Sequence, residues 1–185
     1  MYKIQLLFLR LPDRLRGWLV SQWIKLNGGK CGNGLIVEKG FRFKYPPHSG
    51  ISIGNSVCFG KHTNLDIPRN SKFILGNGVS FTGYIYISCA LEVSIGDNVI
   101  VGEFVSIRDA NHGYKDYQIP IKIQPMEPLP IKIHENIWIG RGVAVLRGAK
   151  IPSGCIVAAN AIVNKAFIEP NIILSGSPAN KLKNR

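Results

Sequence analysis

The sequence holds no CxxC pair, no apolar run long enough to cross a bilayer and few acidic residues. Its four cysteines, Cys31, Cys58, Cys89 and Cys155, lie far apart, which excludes the usual zinc-ligand spacings and predicts reduced, mostly buried thiols with no bound metal. The apolar stretch 4–11 is interrupted by Gln5 and Arg10 and followed by Pro12. It is too short to span a membrane and lacks a small-residue cleavage site, so a cytoplasmic location is expected. Asp and Glu total 11 against 23 Lys and Arg, for a formal charge of +12. That field attracts phosphates, acidic glycans or an anionic membrane without choosing among them. A recognition helix, a zinc module and an aromatic-basic sheet motif are all missing, so nucleic acid is not an expected partner.

Glycine and proline are not gathered into a single tract. The 20 glycines and 11 prolines are spread along 185 residues, punctuating repeated turns rather than marking a linker. With 45% hydrophobic residues the chain can build one sizeable core, and a single folded domain is the expectation.

Residues 13–26, DRLRGWLVSQWIKL, place Leu15, Trp18, Leu19, Gln22, Trp23 and Leu26 at three- and four-residue intervals, the period of an amphipathic helix. Asp13 sits where an N-cap belongs, and Arg14, Arg16 and Lys25 mark the opposite side. Two uses fit that stripe: capping the open end of the core, or resting on anionic lipid with the tryptophans at the interface.

From about residue 35 the period becomes six. Anchors fall at Ile53, Phe59 and Leu65; Leu75, Phe81 and Ile87; Ile95, Val101 and Ile107; Ile133, Ile139 and Val145; and Ile151, Val157 and Val163. A small or β-branched residue such as Val99, Val105, Ile137, Val143, Cys155 or Ala161 stands two positions earlier, and glycine often follows the anchor. Those glycines are expected at tight corners where a side chain would strain the backbone. Three short strands joined by corners make one triangular coil, and stacked coils bury anchor upon anchor. The fold class expected is all-β: a left-handed parallel β-helix of hexapeptide repeats, sustained over roughly 130 residues. A sandwich would instead show longer alternating strands with turns every 8 to 12 residues.

The repeat breaks once, between Ile107 and Ile133, so a loop spanning 109–130 is extruded. Its sequence, DANHGYKDYQIPIKIQPMEPLP, carries four prolines and should be extended and stiff rather than helical. Two parts are expected: residues 1–30 as a helical cap or membrane-proximal segment, and 31–185 as the β-helix with this loop and a C-terminal tail.

The segment DANHGY, the run IHENIWIGRGVAVLRGAKIPSGCIVAANAIVNK and the terminal SGSPANKLK together resemble the hexapeptide-repeat acyltransferases. Within that family the likeness is closest to the bacterial polysaccharide (O-antigen, capsule) O-acetyltransferases and the maltose and galactoside acetyltransferases. The resemblance covers about residues 50–183. It implies an enzyme that moves acetyl from acetyl-CoA to a saccharide hydroxyl, with His112 as general base and no covalent enzyme intermediate. The residue type suits the task, since imidazole is the side chain best able to take a proton near neutral pH. Asp109, Glu103 or a loop carbonyl could orient its other nitrogen. His48, His62 and His134 are expected to be structural or solvated.

The resemblance further implies that Trp138 lies beside the acetyl and pantetheine portion of the cofactor. The pantetheine arm would run past Gly102, Gly140, Arg141, Gly148, Ala158 and Ala159. Asn164 and Lys165, with Lys183 in the basic tail, fall toward the 3′-phosphate. An asparagine and an aspartate of galactoside-type relatives are replaced here by Thr82 and by Ala90 or its neighbours. Asn111, Tyr84, Thr82, Tyr114 and Met126 are therefore the acceptor-site candidates. Asn180 stands where many relatives have a basic residue. The acceptor could be a sugar, a sugar nucleotide or a lipid-linked glycan in surface polysaccharide synthesis. Family members are typically homotrimers, and the cytoplasmic protein could sit against the inner membrane. The alternatives are N-acetylation of an amino-sugar nucleotide, acetylation of serine, a zinc enzyme on the same helix, or a non-catalytic scaffold.

Overall fold

The computed structural model describes residues 11–185, so the apolar stretch 4–11 falls, except for Leu11, outside the described residues. Three parallel sheets form the sides of a triangular prism. The first holds strands Lys30–Cys31, Ile51–Ile53, Lys72–Leu75, Glu92–Ile95, Ile131–Ile133 and Lys150–Ile151. The second runs Ile36–Val37, Cys58–Lys61, Ser80–Gly83, Ile100–Val101, Trp138–Ile139, Ile156–Val157 and Ile172–Ser175, closed by an antiparallel strand Asn180–Asn184. The third holds Arg42–Phe43, Asn64–Asp66, Tyr86–Ser88, Ser106–Arg108, Ala144–Leu146 and Ile162–Val163. One strand from each sheet makes one coil. The architecture is the hexapeptide β-helix.

The register stacks equivalent positions of the hexad. Leu75 pairs with Ile95 and Ile95 with Ile133; Phe81 with Val101 and Val101 with Ile139; Ile87 with Ile107 and Ile107 with Val145. Each of these side chains is buried, worth roughly 1.5–3 kcal/mol of gross transfer free energy apiece. Phe59 and Phe81 stack at 5.3 Å between centroids. The repeat also begins one coil earlier than the sequence pattern shows, with Cys31 and Val37 buried and Phe43 packed against the core. Cys31 and Phe43 blur the aliphatic period.

The glycines that follow anchors are there for a different reason from the one expected. Gly54, Gly60, Gly76, Gly96, Gly102 and Gly140 do not have positive φ. A Cβ on Gly60 would instead lie 2.1 Å from the Thr82 carbonyl oxygen, and one on Gly54 2.4 Å from that of Gly76. Close approach of the next coil excludes side chains there. Left-handed backbone occurs two positions later, at Ser56, Gly78, Asn98, Asn136 and Gly154 on one corner, and at His62, Tyr84, Phe104, Gly142 and Asn160 on the next.

Helix α1, Asp13–Leu26, packs on the first coil. Pro12, not Asp13, is its N-cap residue, and Asp13 is the first helical residue, paired with Arg16. Arg16 is fully buried rather than outward, and its Nε donates to the Val37 carbonyl at 2.9 Å. That carbonyl belongs to the first coil, whose outer edge pairs with no further strand among the described residues, so the helix satisfies part of that sheet edge.

Candidate active site

The extruded segment closes on itself as a hairpin. Strand Ala110–His112 pairs antiparallel with Met126–Pro128, setting Ala110 opposite Pro128, Asn111 opposite Glu127 and His112 opposite Met126. Between them the chain is largely irregular, with one 3-10 turn at Ile121–Ile123, so it is neither wholly extended nor free of helical turns. Gln124 is buried inside the loop, its Nε2 donating to the carbonyls of Asp116 at 2.8 Å and Ile119 at 3.1 Å. The Gly113 N–H donates to the Pro125 carbonyl at 2.9 Å, and a Cβ on Gly113 would lie 2.8 Å from that oxygen. A polar glutamine and a glycine thus shape the loop from within.

Asp109 anchors the hairpin. It is fully buried, and its carboxylate accepts N–H bonds from Ala90 at 2.7 Å, Leu91 at 2.7 Å and Glu92 at 2.9 Å. Glu103 faces the Arg141 guanidinium at 3.1 Å. Both carboxylates considered as orienters of His112 therefore have other partners. The His112 side chain is exposed. So are Asn111, Tyr114 and Met126 beside it, and the hairpin brings these four acceptor-side and catalytic candidates into one place.

Of the cofactor candidates, Gly102, Gly140, Arg141 and Ala159 assemble on a different corner, between the second and third sheets, whereas Asn164 and Lys165 follow the third-sheet strand Ile162–Val163 and lie on the corner from which the hairpin leaves. A Cβ on Gly102 would lie 2.8 Å from the Arg141 nitrogen, and one on Gly140 2.8 Å from the Ala159 nitrogen. Gly102, Gly140 and Ala159 thus stack as a seam of small residues on three successive coils, with Arg141 beside them. Trp138 stands outward on the second sheet, 55% exposed, in register with Ile100 below and Ile156 above. Packing inside a coil is not its role. Asn164 is exposed, and Lys165 donates to Asn180 Oδ1 at 2.8 Å while lying over the Phe167 ring. Lys183 sits on the closing strand, so the basic C-terminus is part of the second sheet rather than a loose tail.

Thr82 and Tyr84 lie on and just after the strand Ser80–Gly83, at the same corner as the glycine seam. Tyr84 stacks on His62 at 5.0 Å and on Phe104 at 5.1 Å, and Arg141 lies 5.2 Å over Phe104. All three stacked residues have φ between +54 and +61°, a conformation rare for bulky side chains. Phe104 was not singled out in the sequence. Its signal is the spacing of one coil from Tyr84 and His62, visible only once the turn positions are aligned. His48 is buried, with Nδ1 accepting the Gly50 N–H at 3.1 Å, as expected of a structural histidine. Among the described residues no group of three or more His, Cys, Asp or Glu side chains could hold a metal ion, and no helix is long and apolar enough to cross a membrane.

Fold and site together define a hexapeptide-repeat β-helix with one histidine-bearing hairpin. No protein-family model matches the chain. It is 29% identical over 181 residues to a protein of Mycobacterium tuberculosis named as a probable acetyltransferase, covering 91% of this chain and 58% of that protein. It is 28% identical over 140 residues to WbbJ of Escherichia coli, named as an O-acetyl transferase of lipopolysaccharide biosynthesis, covering 72% of this chain and 71% of WbbJ. The fold is shared with a hexapeptide-repeat acetyltransferase of Vibrio cholerae solved with acetyl-CoA, at TM-score 0.63 and 21% identity over 98% of this chain and 83% of that one. It is shared too with AntD, an N-acyltransferase of Bacillus cereus solved with dTDP and coenzyme A, at TM-score 0.71 and 20% identity over 87% and 86%. The resemblance to hexapeptide-repeat acyltransferases is thereby shown, although the chain spans under two thirds of the mycobacterial relative.

Proposed function

We propose that the protein is a cytoplasmic acetyl-CoA-dependent O-acetyltransferase acting on a saccharide hydroxyl in surface polysaccharide synthesis. The observation that carries this reading is His112: an exposed imidazole on a hairpin pinned at its root by Asp109 and held opposite Met126. In this reading His112 takes the hydroxyl proton as the hydroxyl oxygen bonds to the thioester carbonyl carbon. The carbon–sulfur bond breaks, and the imidazolium returns the proton to the departing thiolate, giving an acetyl ester and CoA with the enzyme unchanged. General-base catalysis of this kind contributes about 10²–10⁴-fold.

A pantetheine arm would run along the glycine seam, where Gly102, Gly140 and Ala159 carry no long side chain to block it; the Gly102 and Gly140 N–H groups themselves are spent on the Ile139 and Val157 carbonyls, each at 2.8 Å. Arg141 is exposed and its pairing with Glu103 is an exposed one, worth at most about 1 kcal/mol, so it can turn toward an anionic cofactor. Asn164, Lys165 and Lys183 would hold the nucleotide end. Seam and hairpin root leave the fourth coil at different corners, about 15 Å apart along the strand direction. A second prism can bring its seam against the first one's hairpin, and a homotrimer does so for every site.

The test is CoA release by thiol detection with a panel of sugars, sugar nucleotides and lipid-linked glycans, comparing the wild type with His112→Ala. Saccharide-dependent release that falls at least about 100-fold in the variant supports the reading. Release that needs an amino-sugar nucleotide would reassign the protein to N-acetylation. No release with any acceptor would leave a scaffold role.

A further inference from the structure

Helix α1 is mounted with its apolar stripe facing away from the protein. The residues turned inward are Arg16, Gly17, Val20, Ser21 and Ile24. Those left exposed include Leu15, Trp18 at 57%, Leu19, Trp23 and Leu26 at 85%. A helix selected only to cap a core would place its leucines and tryptophans inward.

The orientation is locked. A Cβ on Gly17 would lie 1.9 Å from the Leu35 carbonyl oxygen, so only glycine lets the helix approach the coil edge there. Arg16 commits its guanidinium to the carbonyls of Val37 and Leu11 and to Asp13. Rolling the helix to bury Trp18 and Trp23 would strip that buried charge of its partners and drive other side chains into the coil edge.

The surroundings continue the pattern. On one flank Leu19, Val20 and Trp23 meet Phe41 and Phe43 around an apolar groove of about 260 Å³, with Trp23 edge-on to Phe43 at 5.6 Å. On the other flank Arg14 and Lys25 line a groove of about 520 Å³ beside Trp18. The one acidic residue of the helix, Asp13, is paired with Arg16. The ten residues before Leu11 contain Lys3 and Arg10 and no acid.

We infer that this face docks on an anionic lipid bilayer, with Trp18, Trp23, Leu15, Leu19 and Leu26 at the interface and Arg14 and Lys25 on the lipid phosphates. Charge complementarity selects this occupant: Arg14 and Lys25 flank the apolar stripe while the one carboxylate of the helix, Asp13, is paired with Arg16, so the face itself is attracted to a negative surface. The hairpin leaves the prism from the fourth coil and the helix covers the first. Three coil rises of about 4.8 Å plus the roughly 10 Å thickness of the helix put His112 about 25 Å above the docking face. Where the proposed reaction holds, that places the base within reach of a saccharide carried on a membrane lipid, and the docking itself does not depend on the reaction.

The experiment is co-sedimentation of the full chain with vesicles of phosphatidylcholine alone or with 30% phosphatidylglycerol. Trp18→Ser/Trp23→Ser and Arg14→Glu/Lys25→Glu variants are compared after circular dichroism shows an unchanged fold. The expected result is binding to the anionic vesicles alone, weakened by added salt and at least tenfold in each double variant. Absence of binding to anionic vesicles, or binding indifferent to both double variants, overturns the inference. Two further results also overturn it. Vesicle binding that appears only after deletion of residues 1–10 would mean that the chain's own segment covers the face. A higher-order assembly in light scattering that Trp18→Ser/Trp23→Ser abolishes would mean that a second copy does. Since this readout is lipid binding, it fails or succeeds separately from CoA release.

Discussion

Asp109 and His112 stand three residues apart on opposite sides of one boundary: the carboxylate is sealed in the prism, accepting three backbone N–H groups of residues 90–92, while the imidazole is exposed on the hairpin that the carboxylate anchors. The rigidity of the site and its chemistry are thus assigned to different residues. Substitutions at the two positions should separate stability from rate.

At His112 the side chain is exposed, so His112→Ala should leave the melting temperature within about 1–2 °C of wild type. The change lies within the ±0.5 kcal/mol typical of surface substitutions. The rate should fall about 10²–10⁴-fold. A variant that melts early would place His112 in the framework instead.

At Asp109 the opposite holds. Asp109→Asn puts an amide nitrogen where one carboxylate oxygen now accepts, leaving buried N–H groups short of acceptors, at a cost of about 1–3 kcal/mol. Urea denaturation should register that loss, and activity should fall less than in His112→Ala. Unchanged denaturation would contradict the anchoring role.

Two kinds of corner residue predict two kinds of substitution. Gly60→Ala forces a Cβ onto the Thr82 carbonyl at 2.1 Å and should destabilise by more than about 2 kcal/mol, because two stacked coils must separate. Asn136→Gly, at φ 55°, should be close to neutral, within about 1 kcal/mol, since glycine adopts that conformation freely. Thermal melts of the pair distinguish close approach from backbone strain.

Cys89 supplies a pH dependence. Burial first, and then the nearby Asp109 carboxylate, push its thiol up from 9.0 to about 12. A raised pKa means that the folded state holds the proton more tightly than the unfolded one. Its contribution is therefore complete below pH 9 and is lost as pH rises toward 12. Alkylation at pH 8 should modify Cys58, which is partly accessible, well before Cys89. Equal rates would show that the prism opens readily where Cys89 follows the strand Tyr86–Ser88.

The acceptor and cofactor groups were legible to different depths. His112, Asn111, Tyr114 and Met126 could be gathered from sequence because they flank one interruption of a regular period, and the hairpin does bring them together. Tyr84 could be named, but its stacking with His62 and Phe104 could not. Those three share a turn position whose backbone conformation no side-chain pattern reports. Helical periodicity groups Arg16 with the outward polar residues, whereas the coil edge offers carbonyls that only a buried donor satisfies.

The order of residues by itself determined the β-helix. A hexad repeated over many coils puts like side chains above one another whatever else happens, since strands pair in the register that buries the anchors. It also determined where the hairpin leaves the prism, because an interruption in a strict period has nowhere else to go. Only the tertiary structure decided which face of α1 points outward, which carboxylate is sealed and which corner holds the glycine seam. Those outcomes turn on single close approaches between backbone atoms distant in the chain, and such contacts leave no period to be read.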